Sequence, residues 1–290
     1  MAVLPRAPTV SASTYRRFTR AALASLVFIV VTGAAVRLTG SGLGCSSWPG
    51  CEPGEFVPHG ASSLNPWIEF LNRLITGAVS VAVALAVLGS HWRTPRRRDL
   101  VWLSWGLVAG VVGQILLGAL VVRVHVHPIA VQGHFLLSAV LVANAVVLHH
   151  RAGRVDGADG RAEPVVPLAG PVVLRLSAIV TALAATVMLA GTIVTGSGPH
   201  AGDEDAERLA FAVRSVAMLH SGLTWVFLGA VVLLVLRMRR DLVMGVALER
   251  ATALLTVVAE AWQPDYGDVG DRAVTKCPAA ESRLGSDDLL

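Results

Sequence analysis

The chain has 290 residues, of which 54% are hydrophobic and only 15% charged, and its mean hydropathy is +0.63. That balance excludes an ordinary soluble domain, which would need more polar surface than this composition supplies, and it fits a polytopic membrane protein. The isoelectric point near 9.5 comes from arginine, since Lys276 is the only lysine, so the placement of the arginines says more than the net charge of +4.

In chain order, apolar runs of the roughly 20 residues that a bilayer demands fall at 18–38, 66–90, 100–122, 129–148, 171–195 and 210–236. A weaker seventh, 242–262, contains Glu249 and Arg250. Short loops rich in Gly and Pro between the runs imply helices rather than barrel strands. The arginines alternate from loop to loop. Arg6, Arg16, Arg17 and Arg20 precede or open the first span, and Arg93, Arg96, Arg97 and Arg98 follow the second. Arg151, Arg154 and Arg161 follow the fourth, and Arg237, Arg239 and Arg240 follow the sixth. Segment 39–65 has no Lys or Arg, 123–128 has Arg123, and 196–209 sets Arg208 among Asp203, Glu204, Asp205 and Glu207. The positive-inside rule therefore places the N-terminus in the cytoplasm and segments 39–65 and 196–209 outside. A cleaved signal peptide would share the basic start, but the first apolar run is long and ends in "VRLTGSG" without a small-x-small site.

The outer segment "GCSSWPGC" separates Cys45 from Cys51 by turn-forming residues. In an oxidising compartment such a pair is expected to form a short disulfide. Free thiols, a reducible redox pair and a zinc site drawing on His59 are the alternatives, the last lacking further ligands at regular spacing. Cys277 has no evident partner.

The chain also repeats itself. "TGAAVRLTGSG" at 32–42 returns as "AGTIVTGSG" at 190–198, each at the outer end of a span. "FLNRLITGAVSVAVALAVL" (70–88) lies over "MLHSGLTWVFLGAVVLLVL" (218–236), which matches Asn72 to His220. Two four-helix halves follow, in parallel orientation because four is even. The organisation expected is a cytoplasmic N-terminus (1–17), an N-terminal half (18–150), a cytoplasmic linker (151–170), an incomplete C-terminal half (171–262) and a polar tail (263–290).

Ionisable residues inside spans mark functional sites by default. His134 lies near the outer start of the fourth span and His220 in the sixth. Each alone fits an imidazole hydrogen-bonded to a neighbouring helix; together, in a repeated bundle, they favour axial ligation of haem iron. His91, His149 and His150 read as interfacial, and His59, His125, His127 and His200 as solvated loop residues. Glu69, Asn72 and Arg73 stand at i, i+3 and i+4 and share one helix face at the outer end of the second span.

The segments "TGAAVRLTGSGLGCSSWPGC", "IEFLNRL", "VHPIAVQGHFLLS", "GTIVTGSGPHAGD" and "AMLHSGLTW", in this order over about residues 15–240, resemble the haem A synthase family (bacterial, with mitochondrial relatives). The resemblance implies an all-α membrane protein of two parallel four-helix halves in the bacterial plasma membrane. It also implies oxidation of the C8 methyl of haem O to the formyl of haem A for terminal oxidase assembly, alongside haem O synthase, with the electron acceptor unassigned. One half would hold the substrate haem and the other a haem b cofactor. Carried over by motif, Glu69 is the catalytic carboxylate, Asn72 and Arg73 stand at the cofactor, His134 and His220 are iron ligands, and Cys45 and Cys51 are the loop pair. A carboxylate near the reacting methyl would stabilise the positive charge that builds there as electrons leave; the simpler reading is an interfacial Glu69–Arg73 ion pair.

Two departures stand out. Family members commonly carry histidine at Asn72, so the N-terminal half offers one imidazole and would leave one axial position open. Past about Glu260 the resemblance ends. By the repeat, a partner of His134 should lie near Ser282, and no histidine follows His220. A frameshift or a natural truncation would produce this, giving six or seven spans, a divergent tail and an inactive member as one outcome. A bis-histidine b-type cytochrome is the alternative function, although it would need neither Glu69 nor the cysteine loop. A transporter would show broken helices at the midplane. Nothing in the sequence points to nucleic acid.

Overall fold

A computed structural model describes residues 9–59, 63–157, 160–163, 170–198 and 205–241. The seventh run, the polar tail with Cys277, and His200 lie outside the described residues. Six helices are present: α1 (Ala12–Leu38), α2 (Asn65–Trp92), α3 (Arg98–Arg123), α4 (Pro128–Ala152), α5 (Pro171–Ser197) and α6 (Val213–Asp241). All six are long and apolar enough to cross a membrane, and among the described residues only isolated β-bridges accompany them. The protein is an all-helical, multi-pass membrane protein.

Local chemistry sets the helix ends. Ser11 caps α1 by accepting from the Thr14 amide, which starts the helix six residues before its apolar run. Proline occupies the first turn of α2, α4 and α5, where its missing N–H is no loss. At the end of α1, Gly40 (φ 64°) takes the left-handed position, and Ser41 N–H returns to the Val36 carbonyl. The end of α3 repeats this closure: Val126 N–H reaches Val121 and His125 N–H reaches Val122, with His125 (φ 49°) where glycine is usual.

Helices α1 and α2, α2 and α3, α3 and α4, and α4 and α1 pack as neighbours, closing a four-helix ring. Among the described residues the diagonal pairs α1/α3 and α2/α4 bring no Cα atoms within 8 Å of each other, and a side-chain hydrogen bond between Tyr15 and Ser104 spans the α1/α3 diagonal. Helices α5 and α6 form a hairpin that meets the ring through α4. Glycines 106, 110 and 113 on α3 lie against Asn144, Leu141 and Leu137 of α4. Such small-residue seams supply close packing in lipid, where apolar burial between helices gives little drive.

The arginine-rich end is latched. Arg93 and Arg97, 2% and 0% exposed, share Asp156, with Arg93 Nη2 donating to both carboxylate oxygens at 2.8 and 2.9 Å. Asp99 also holds Arg97, at 2.8 Å. Val10 bridges to Arg93 across the backbone, and Tyr15 meets Ser104 in the buried core at 3.0 Å. Arginines that mark loop polarity in the sequence therefore also tie the ring together. At the opposite end the loop after α1 folds onto α2, and the Cys45–Cys51 disulfide is formed and fully buried with Phe70 beside it.

Candidate functional site

The loop approaches α2 so closely that a Cβ on Gly44 would come within 2.6 Å of the Asn65 backbone. Glu69, the first charged residue of α2, meets the loop there. It is 6% exposed; its Oε2 accepts from the Cys45 N–H at 2.8 Å and its Oε1 from Arg73 Nη2 at 2.5 Å. Arg73 Nη1 donates to the Ser47 and Gly50 carbonyls at 2.8 and 2.6 Å. The i, i+4 ion pair thus clamps the disulfide loop from both sides. A buried carboxylate left unpaired would be costly, and here the guanidinium compensates it.

Asn72 shares the face in sequence but turns to α1. Its Oδ1 lies 2.8 Å from the Thr32 hydroxyl, which is also 3.2 Å from the Ile29 carbonyl. The three residues expected together therefore divide: Glu69 and Arg73 serve the loop, and Asn72 faces the α1 seam.

Both in-span imidazoles are present with a ring nitrogen that lacks a partner. His134 Nδ1 and His220 Nδ1 are buried and make no hydrogen bond. Each ring lies against a glycine of the preceding helix: a Cβ on Gly118 would sit 3.6 Å from His134 Cε1, and one on Gly191 would sit 3.1 Å from His220 Cε1. Asn72, His134 and His220 are the eighth, seventh and eighth residues of their helices, all starting from the disulfide end. At about 1.5 Å per residue, all three lie about 10 Å down from the helix starts. His134 and Asn72 occupy a diagonal pair of the ring, α4 and α2, with the His134 ring against α3 and the Asn72 amide against α1.

An orphaned buried ring nitrogen is rare and calls for a partner. An imidazole holds haem iron through Nε2 as a rule and leaves Nδ1 to a neighbouring acceptor, so rings with no helix-to-helix hydrogen bond of their own fit residues that would hold a haem. Among the described residues no three His, Cys, Asp or Glu side chains gather as a cage for a bare metal ion. The disulfide removes both thiols from zinc chemistry.

Three participants were not legible as such: Thr32, Gly118 and Gly191. Thr32 and Gly191 belong to the repeated "TG…" and "AG…" segments, and only contact across the helices attaches them to Asn72 and His220. The loop histidines have local roles. His127 caps α4 at Ile129 and pairs with Glu207 at 3.2 Å, and His59 meets the Val57 carbonyl at 2.8 Å.

A family model described as cytochrome oxidase assembly protein matches residues 16–264. Among curated proteins the chain is similar to proteins named heme A synthase from Bacillus cereus (strain AH187) and Bacillus anthracis (strain A0248). Both are 34% identical over 124 residues, which cover 42% of this chain and 39% of the relative. The matched segment thus spans about two fifths of those relatives' length.

Proposed function

The chain belongs to the haem A synthase family of cytochrome oxidase assembly proteins, and from that premise we propose that it oxidises the C8 methyl of haem O to the formyl of haem A. The observation that supports this reading is the pair of half-buried imidazoles, each with a buried Nδ1 that makes no hydrogen bond, at similar distances from the starts of their helices. Bound haem supplies a redox-active iron in one half and, as haem O, the methyl group to be oxidised in the other. His220 would hold a haem b in the C-terminal half. His134 holds the substrate iron in the N-terminal half, with Asn72 on the opposing helix.

Glu69 supplies negative charge at the loop end of that half. Conversion of the methyl to the formyl takes its oxygen from one water and releases four electrons and four protons to an external electron acceptor; as electrons leave the methyl carbon, a preorganised carboxylate lowers the free energy of the developing positive charge. Arg73 and the Cys45 amide position the carboxylate, and the buried loop excludes bulk water from it. The arginine asymmetry sets the N-terminus in the cytoplasm of a bacterial cell and the disulfide loop outside; a reporter fused after residue 240 should read cytoplasmic and one within 196–208 external, and the reverse would refute the orientation.

The test is Glu69→Gln in cells that make haem O, with pigments extracted and quantified as haem O and haem A. The substitution keeps the shape of the side chain, so haem content should persist. Haem A formation should fall by about 10²–10³, the usual loss for a preorganised charge-stabilising group. Haem A formed at the unsubstituted rate would reduce Glu69 to a structural partner of Arg73.

A further inference from the structure

We propose that the N-terminal half holds its porphyrin iron from one side only, through His134, and presents Asn72 and Thr32 at a vacant axial position that takes small diatomic ligands such as carbon monoxide. The proposal rests on the assignment of His134 to a haem in this half.

The internal repeat sets Asn72 where the other half has His220, and the structure preserves the correspondence in space. His220 lies against Gly191 of α5, and Asn72 lies against Thr32 of α1, within the repeat-related segments 190–198 and 32–42. His134 stands on the diagonal helix at the same depth with a partnerless ring nitrogen. A planar group held by His134 inside the ring would have α2 across the diagonal, and Asn72 is the α2 residue at that depth. An amide oxygen binds haem iron poorly beside imidazole, thiolate or thioether, the donors iron porphyrins take in proteins.

No other strong donor reaches this level among the described residues of the ring. Helices α1 to α4 contain no methionine, and Cys45 and Cys51 are bonded to each other. Tyr15 is near the opposite end of α1, bound to Ser104. His91, His149 and His150 lie in the last turns of α2 and α4, again at the far end. His125 and His127 belong to the turn that starts His134's own helix, and His127 is paired with Glu207. The position opposite His134 is thus left to an amide and a hydroxyl. These two groups can hydrogen-bond a diatomic on the iron, and the Thr32 contact holds the amide against α1 rather than over the metal.

The experiment uses the full chain with His220→Ala, which leaves His134 as the one imidazole at this depth among the described residues, loaded with haem b and reduced. The expected spectrum is high-spin and five-coordinate, with one carbon monoxide bound per haem. Adding Asn72→His should give a low-spin, six-coordinate haem and loss of most carbon monoxide uptake. Thr32→Val should leave the coordination number alone and shift the C–O stretching frequency. A six-coordinate haem without uptake in the His220→Ala chain, retained only while His134 is present, overturns this proposal and leaves the haem assignment standing. Haem lost from His220→Ala but kept by His134→Ala overturns both. Should His220→Ala fail to accumulate, the unsubstituted chain and Asn72→His are compared directly: loss of one carbon monoxide site supports the proposal, and equal uptake refutes it.

Discussion

Replacing Arg73 by methionine should free the disulfide loop without unfolding the helices. Arg73 donates to Glu69, Ser47 and Gly50, and its side chain is 19% exposed against 8% for Glu69. Breaking a buried pair by removing one partner costs about 3–5 kcal/mol. Partial exposure of the guanidinium and the non-additivity of its hydrogen bonds favour the lower end, about 3 kcal/mol. Methionine keeps most of the apolar stem, so the loss falls on the loop attachment. Cys45 and Cys51 are 0% exposed, so a reductant reaches them only when the loop opens. A loss of about 3 kcal/mol raises the open population, and with it the reduction rate, by about 10². The assay times reduction by a phosphine on protein in detergent, with Cys277→Ser to leave only the pair, and counts maleimide additions after quenching. Asp156→Ala is the control: it takes the carboxylate from Arg93 at the far end, while Arg97 keeps Asp99, and should lower thermal stability while leaving the loop rate unchanged. Equal reduction rates with and without Arg73 would refute the clamp.

Further outcomes follow from single contacts. Gly191→Ala should weaken haem retention at His220, because its Cβ would stand 3.1 Å from the ring, whereas Gly118→Ala, at 3.6 Å from His134, should be tolerated; pigment content per protein measures both, and the opposite order would contradict the placement of the rings. His125→Gly should stabilise the protein by about 1 kcal/mol, because His125 holds a left-handed conformation at a helix end where glycine carries no steric cost. Thermal melting in detergent should rise by a few degrees, and a fall would mean that the exposed imidazole makes a contact outweighing its backbone strain.

Much of the architecture was legible because membrane helices must be long and apolar, and each of the six complete runs became a helix. The end of α1 was less so. Its first turns carry Tyr15, Arg16 and Arg17 and look like a loop, yet Ser11 caps them into the helix. His134 and His220 stood out as ionisable groups in apolar runs, and Glu69–Arg73 as an i, i+4 pair. Their partners did not. Cys45 lies 24 residues from Glu69, Thr32 lies 40 from Asn72, and Asp156 lies 63 from Arg93. A one-dimensional pattern shows which groups need a partner in lipid, and only the packing of helices selects it. Arg93 and Arg97 show the limit from the other side: their charge is plain in the sequence, while their burial depends on a distant carboxylate.

The two candidate haem positions are mechanically connected through α4, the one helix of the ring that meets the α5/α6 hairpin. Gln132 lies two residues before His134 and donates to the Thr192 carbonyl of α5 at 3.2 Å. Thr192 follows Gly191, the residue against which His220 rests. A Cβ on Gly196 would come within 2.8 Å of Gln132 Nε2, so a glycine at this place is what lets the amide reach α5. Only one side-chain hydrogen bond and short runs of helix backbone separate the two imidazoles' supports. Helix backbone is stiff over one turn, so a displacement of α4 that moves His134 also pulls on the segment that positions His220. The α4/α5 joint thus lies at the depth of His134 and His220, whereas the arginine latch holds the ring alone.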